Sequence, residues 1–190
     1  PEGEVGRLTL EGEVLRGRLR LQLDGVPERL DLATGGGHVA VVWDAPDQDP
    51  PAAYALVTDN LDGEGAGQRL GEQRPARAPA ITWNGAAFAA AYTEQRGLDT
   101  VVALATVGLD GRPQAPVDVQ ARALMADLVW EPAQRAYAVV WVTQGRSPDL
   151  VFAALSPELE RLGEVVVSPD QASSWPALAV NRGPGREGPR

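Results

Sequence analysis

The 190-residue chain carries 26 acidic and 17 basic residues, a net charge of −9, and 44% of its residues are hydrophobic, enough for a packed core. That negative balance argues against sequence-independent binding to nucleic acid or to anionic membranes. The absence of cysteine removes disulfides, thiolate chemistry and cysteine zinc sites, and no apolar run is long enough for a membrane-spanning helix.

The chain starts at Pro1, so processing or trimming is expected, with a removed leader as one route and an extracellular or cell-surface location as the expectation. GRLTL at 6–10 and the run at 14–23 alternate leucine with polar residues, the period-two pattern of half-buried strands. Arg16, Arg18 and Arg20 fall on one face of the second run, as a solvated face or as a stripe for an anionic partner. Leu23-Asp24-Gly25 then reads as a turn.

A repeat begins next. HVAVVW, AFAAAY and AYAVVW end in Trp43, Tyr92 and Trp141, which are spaced 49 residues apart each time. Leu32, Ile81, Leu128 and Leu178 recur at intervals of 49, 47 and 50 residues, and Leu61, Leu109 and Leu159 at 48 and 50. Returns of this length signal a β unit repeated along the chain. The second unit shows its parts most clearly. PAITW at 79–83 is a short strand, Asn84-Gly85 a tight hairpin turn, 87–92 a second strand and 93–99 a polar loop. TVVALATV at 100–107 is a third strand, Leu109-Asp110-Gly111 a turn, and PVDVQ at 116–120 a weaker fourth strand.

Four strands per unit predict an all-β fold: a β-propeller of four-stranded antiparallel blades of roughly 48 residues, four-bladed or part of a larger ring. The units span about 29–75, 76–122 and 123–171. A fourth begins at Trp175-Pro176-Ala177-Leu178-Ala179-Val180 and then stops, with 183–190 left as a tail. One strand of a blade is not stable alone, so 172–181 is expected to join 1–28 in a mixed unit that makes 1–182 one domain. Closure would remove the free edges. A larger ring completed by self-association stays open, as does a β-sandwich.

Function is read on the loops that join second to third strands, because these share one face and polar loops on a rigid scaffold are where binding is placed. They are 44–51, 93–99 and 142–149, and they supply Asp44, Asp47, Asp49, Glu94, Arg96, Asp99, Gln144, Arg146 and Asp149 as ligand-binding candidates. Trp175 joins them, because it precedes the proline of its strand and breaks the aromatic pattern. The carboxylates from 44 to 49 lack the glycine and distal glutamate of a calcium loop, and prolines 46, 50 and 51 restrict the wrap, so no metal is expected. His38 is the only histidine and no motif places a nucleophile or carboxylate beside it. GEGAG at 63–67 reads as a glycine turn, and neither a nucleophile elbow nor a nucleotide-binding loop is present, so no cofactor is expected. The repeated Trp43, Tyr92 and Trp141, and Trp83 with its counterpart Trp130, read as spacers between sheets.

The second and third units resemble repeats of bacterial secreted or cell-surface β-propeller proteins, in the broad sense the sialidase-like propellers. The resemblance rests on Pro79, Trp83, Gly85, Phe88, Tyr92, Glu94, Arg96 and Asp110-Gly111, then on Trp130, Tyr137, Trp141 and Arg146. The third unit has Glu131-Pro132 for the Asn-Gly turn; the first keeps Trp43 and Asp62-Gly63 but has Thr34 for the tryptophan. It covers about 29–181 and consists mostly of framework residues. Such a resemblance implies a propeller. Sialidase chemistry is not expected, because the Asp-box pattern and a loop tyrosine are missing, and the repeat pattern and closing disulfide of four-bladed hemopexin-type domains are missing too. The expected function is a non-catalytic scaffold binding a protein or surface. The alternative is a lectin-like glycan binder, with glycoside hydrolysis a more remote extension. Neither nucleic acid nor membrane insertion is expected.

Overall fold

The computed structural model describes residues 2–8, 14–23, 26–59, 62–71, 74–168 and 176–180, and every helix-or-strand element among them is a strand. β1 (Glu2–Leu8) and β2 (Val14–Gln22) form an antiparallel hairpin. β3 (Leu30–Gly35), β4 (His38–Ala45) and β5 (Ala52–Thr58) open the first four-stranded sheet. β6 (Asp62–Gly65) leaves it and pairs in parallel with β2, and β7 (Gln68–Arg69) returns as its outer strand. The second sheet holds β8 (Ala76–Trp83), β9 (Phe88–Arg96), β10 (Asp99–Val107) and β11 (Val117–Ala121). In the third are β12 (Ala123–Glu131), β13 (Ala136–Thr143), β14 (Leu150–Leu155) and β15 (Arg161–Ser168). The chain is all-β, with three four-stranded antiparallel sheets consistent with propeller blades.

Strict alternation divides each second strand between two neighbours. On β9, Phe88, Ala90 and Tyr92 pack with the first sheet, while Ala89 and Ala91 pack with the third. The repeated aromatics Trp43, Tyr92 and Trp141 are all buried, and each faces the preceding sheet. For Trp43 that predecessor is the N-terminal hairpin, through Leu21. Small residues let the sheets approach closely. A Cβ on Gly35 would come within 2.1 Å of Trp83 Cγ, so the Trp83 ring occupies the space above that glycine. Trp83 meets Phe88 at 4.8 Å, and Trp130 meets Tyr137 at 4.9 Å, the same inclined pairing in successive sheets.

The inner strands are stapled by aspartates. Asp31 accepts from the amides of Leu32 and, in the next sheet, Ile81, both at 2.9 Å. Asp127 repeats this on Leu128 and on Leu178, the latter at 2.7 Å. In the second sheet the corresponding position is Ala80, and there Thr82 Oγ1 accepts from the Trp130 amide at 3.2 Å instead. Residues 176–180 therefore sit after the third sheet as β8 sits after the first, although among the described residues they join no strand ladder.

Several expectations change. Loop 93–99 shrinks to Gly97-Leu98, because β9 and β10 pair from Arg96↔Asp99 onward. Glycine at 97 takes φ +66, which lets two residues close the hairpin. Residues 62–65, expected as a turn, form β6. Leu32 lies on an inner strand yet is 49% exposed, whereas Ile81 and Leu128 are buried, because no described strand covers its side. The Asp24-Gly25 turn, Trp175, the 183–190 tail and the side chains of Arg16, Arg18 and Arg20 lie outside the described residues.

Candidate functional site

The first loop divides its three carboxylates sharply. Asp44 closes β4 and is 1% exposed; its Oδ1 accepts from the amides of Glu28 and Arg29 at 2.8 and 2.9 Å, and its Oδ2 from Ala78 at 3.2 Å. It is a structural clamp joining the entries of β3 and β8, with its lone pairs committed to backbone. Asp47 and Asp49 are exposed.

Glu94 is likewise buried rather than in a loop. Its Oε1 accepts from Arg74 at 3.2 Å and from Arg96 at 2.9 Å, and Arg96 also pairs with Asp118. The two carboxylates help hold the Arg96 guanidinium above its ordinary pKa, against the opposing effect of burial. Neither Glu94 nor Arg96 is free to bind as an isolated charge. Asp99 is exposed and lies 3.9 Å from Arg122. In the third sheet Gln144 and Arg146 are exposed, and the Asp149 amide donates to Thr143 Oγ1 at 2.7 Å, which closes the 144–149 loop. His38 stands apart on the opposite hairpins, its Nδ1 2.9 Å from the Gly36 carbonyl oxygen. No group of three potential metal-ligating side chains occurs among the described residues.

Between these loops lies a pocket of about 240 Å³, where the entries of the inner strands meet. Glu28 and Asp44 reach it from the first sheet, Arg77, Thr93 and Thr100 from the second, and Leu124 with Met125 from the third. Its walls are largely apolar. Glu28 and Arg77 stand at the mouth 3.7 Å apart, each about half exposed. Thr100 Oγ1 donates to the Ala123 carbonyl at 2.9 Å and lies 3.1 Å from Gln144 Oε1, which ties the third loop to the pocket wall.

Two bulges shape the rim. Pairing slips between Arg77 and Ala80 in β8 and between Leu124 and Asp127 in β12. At each slip a residue with a side chain takes a left-handed conformation, Ala78 at φ 50 and Met125 at φ 53. Such residues cost on the order of 1–3 kcal/mol each and persist where surrounding bonds impose them. For Ala78 the imposing bond is the one to Asp44.

No family model matches this chain, and no curated protein matches it in sequence.

The candidate residues divide between accessible surface and framework. Asp47, Asp49, Asp99, Gln144 and Arg146 are accessible there; Asp44, Glu94 and Arg96 are framework. Glu28, Arg77, Thr93 and Met125, which line the pocket, are not among the residues expected from the sequence. One signal pointed to them: Trp43, Tyr92 and Trp141 are followed by Asp44, Thr93 and Val142, three different chemistries at one repeat position.

Proposed function

We propose that the chain is a four-bladed β-propeller that acts as a non-catalytic binding module, contacting a protein partner through the face that bears the 46–51, 97–98 and 144–149 connections. Three observations support a ring of four. Trp43 packs on the N-terminal hairpin as Tyr92 and Trp141 pack on their preceding sheets, which puts the hairpin in the position before the first sheet. The Asp127–Leu178 staple puts 176–180 in the position after the third. Arg29 of the first sheet also reaches Asp127 of the third at 3.6 Å, a direct crossing that suits sheets facing each other over a narrow axis. In a ring of four those two positions coincide, and the two chain ends would together supply the fourth blade.

The binding reading is carried by the pocket, which opens at the centre of the loop face with an apolar wall and a polar rim. That composition suits capture of a ligand group by shape and a few directed bonds. Of the two carboxylates that line it, Asp44 is engaged by backbone amides and Glu28 stands beside Arg77, so the pair is not held free across a groove for acid–base work. A glycan reading ranks second, because no aromatic side chain lines the pocket to stack on a sugar ring.

Selection from a random peptide library on the immobilised full chain tests the module. The expected result is a shared motif whose binding falls at least ~10-fold with Asp47→Arg or Arg146→Glu, changes that reverse rim charge without touching the core. A glycan array that yields binders, where peptide selection yields none, would replace the protein partner by a glycan.

A further inference from the structure

One repeat position changes chemistry around the pocket. Between the first and second sheets, Asp44 fills the space beneath the Ala78 bulge and accepts its amide. Thr93 occupies the same position between the second and third sheets, opposite the equivalent Met125 bulge. Its side chain is shorter. Thr93 is 8% exposed, and its hydroxyl has no hydrogen-bond partner among the described residues although it lines the cavity. Buried hydroxyls are nearly always satisfied, so this one is open to a partner from the pocket, water or ligand. Where the first junction has its own carboxylate, the second has a space and a donor.

The surroundings define what would fit. Arg77 lies directly opposite Thr93 in the β8–β9 ladder, so the guanidinium and the hydroxyl share a face and can converge on one carboxylate. Glu28 stands beside Arg77 at the mouth. An ion pair this exposed contributes only about 0–1 kcal/mol, so a ligand can open it at little cost. With Asp44 the pocket carries two carboxylates against one guanidinium, a balance that repels a bare anion and welcomes an ammonium. Below the mouth, Pro75, Leu124 and Met125 form an apolar wall. A volume of about 240 Å³ leaves room for a small organic ligand.

We propose that this pocket binds a free α-amino acid with an aliphatic side chain, taken as its zwitterion. Its carboxylate accepts from Arg77 and from the Thr93 hydroxyl, its ammonium donates to Glu28, and its side chain lies against Leu124 and Met125. Its two free charges distinguish it from a residue within a peptide, whose amine and carboxyl groups are tied up in amide bonds. The proposal rests on the loop face being a binding face and names a ligand for its centre.

The test is titration of the full chain with L-leucine, followed by calorimetry and by amide NMR shifts at the pocket. N-acetyl-leucine, which keeps only the carboxylate, and leucinamide, which keeps only the ammonium, are run in parallel. Leucine is expected to bind, with both single-charge analogues at least ~10-fold weaker. Thr93→Val should weaken leucine by about 10-fold without lowering Tm, since it removes an unpaired hydroxyl at constant shape. Met125→Trp, which fills the cavity, should abolish binding. No pocket shifts at about 20 mM leucine, where a ligand with Kd near 1 mM would saturate the site, overturns the proposal. So does equal binding of either analogue, or an unchanged affinity in Thr93→Val. Library peptides that still bind when leucine does not would retain the protein-binding reading and remove the amino-acid site alone; loss of both would remove both.

Discussion

Replacing Asp44 by alanine separates a structural carboxylate from its exposed loop neighbours. The substitution deletes both acceptors for the amides of Glu28, Arg29 and Ala78. Ala78 is buried at the pocket wall, and loss of the acceptor for its amide costs about 1–3 kcal/mol. The Glu28 and Arg29 bonds are partly buried; water can replace them, leaving a loss of about 1 kcal/mol each. The sum is about 3–5 kcal/mol, a large share of the roughly 5–15 kcal/mol that keeps a domain folded. For a chain of this length that corresponds to a fall in Tm of roughly 6–20 °C. Asp47→Ala, three residues on and exposed, should stay within about 0.5 kcal/mol of wild type. Urea unfolding followed by tryptophan fluorescence, with thermal melts by circular dichroism, measures both. If Asp44→Ala also stays within about 0.5 kcal/mol, the carboxylate does not clamp the two inner strands and the account of the β8 bulge fails.

Gly35→Ala should destabilise by about 1–3 kcal/mol, because the new methyl group meets the Trp83 ring; adding Trp83→Leu in a double-mutant cycle should recover part of that loss, and additive effects would refute the contact. Asp127 is held above its ordinary pKa chiefly by burial, against the favourable Leu178 amide and Arg29, with Asp31 adding repulsion. A raised pKa means that the folded state binds the proton more tightly. The resulting stabilisation is complete below the ordinary carboxylate range and is lost as pH rises through the folded-state value. Asp127→Asn keeps an acceptor for Leu178 and removes this titration, so the variant should gain stability relative to wild type as pH rises through the carboxylate range; a pH-independent difference in denaturant titrations across that range would contradict the assignment. Deleting residues 172–190 removes the Asp127 partner Leu178 and should lower the stability of the whole domain, visible as a single shifted unfolding transition. An unshifted melt, or a solution mass above the monomer for the full chain, would point to a ring completed by a second copy.

The period of the chain and the identity of its strands are decided locally. Alternation tells a half-buried strand from a loop, and a constant 49-residue return of aromatics can arise only if each unit meets the same packing requirement. That is why Trp43, Tyr92 and Trp141 could be assigned to the core from spacing alone, and why they are buried in the structure. Polarity, by contrast, does not distinguish a charge that faces solvent from one that clamps a neighbouring strand. Asp44 and Asp47 read alike in DAPDQDPP, yet one is committed to three amides from two other segments and the other is exposed. The difference comes from partners 15 to 34 residues away, which no local pattern contains. Glu94 follows the same rule, since paired strands carry it out of its expected loop and between Arg74 and Arg96. The pocket is a further step removed: Thr93 is unremarkable in sequence and comes to line a pocket only where the second and third sheets meet over a space its short side chain does not fill. Strand identity was therefore written in nearest neighbours along the chain, whereas the chemistry of each charged or hydroxyl group was decided by what the packed sheets brought against it.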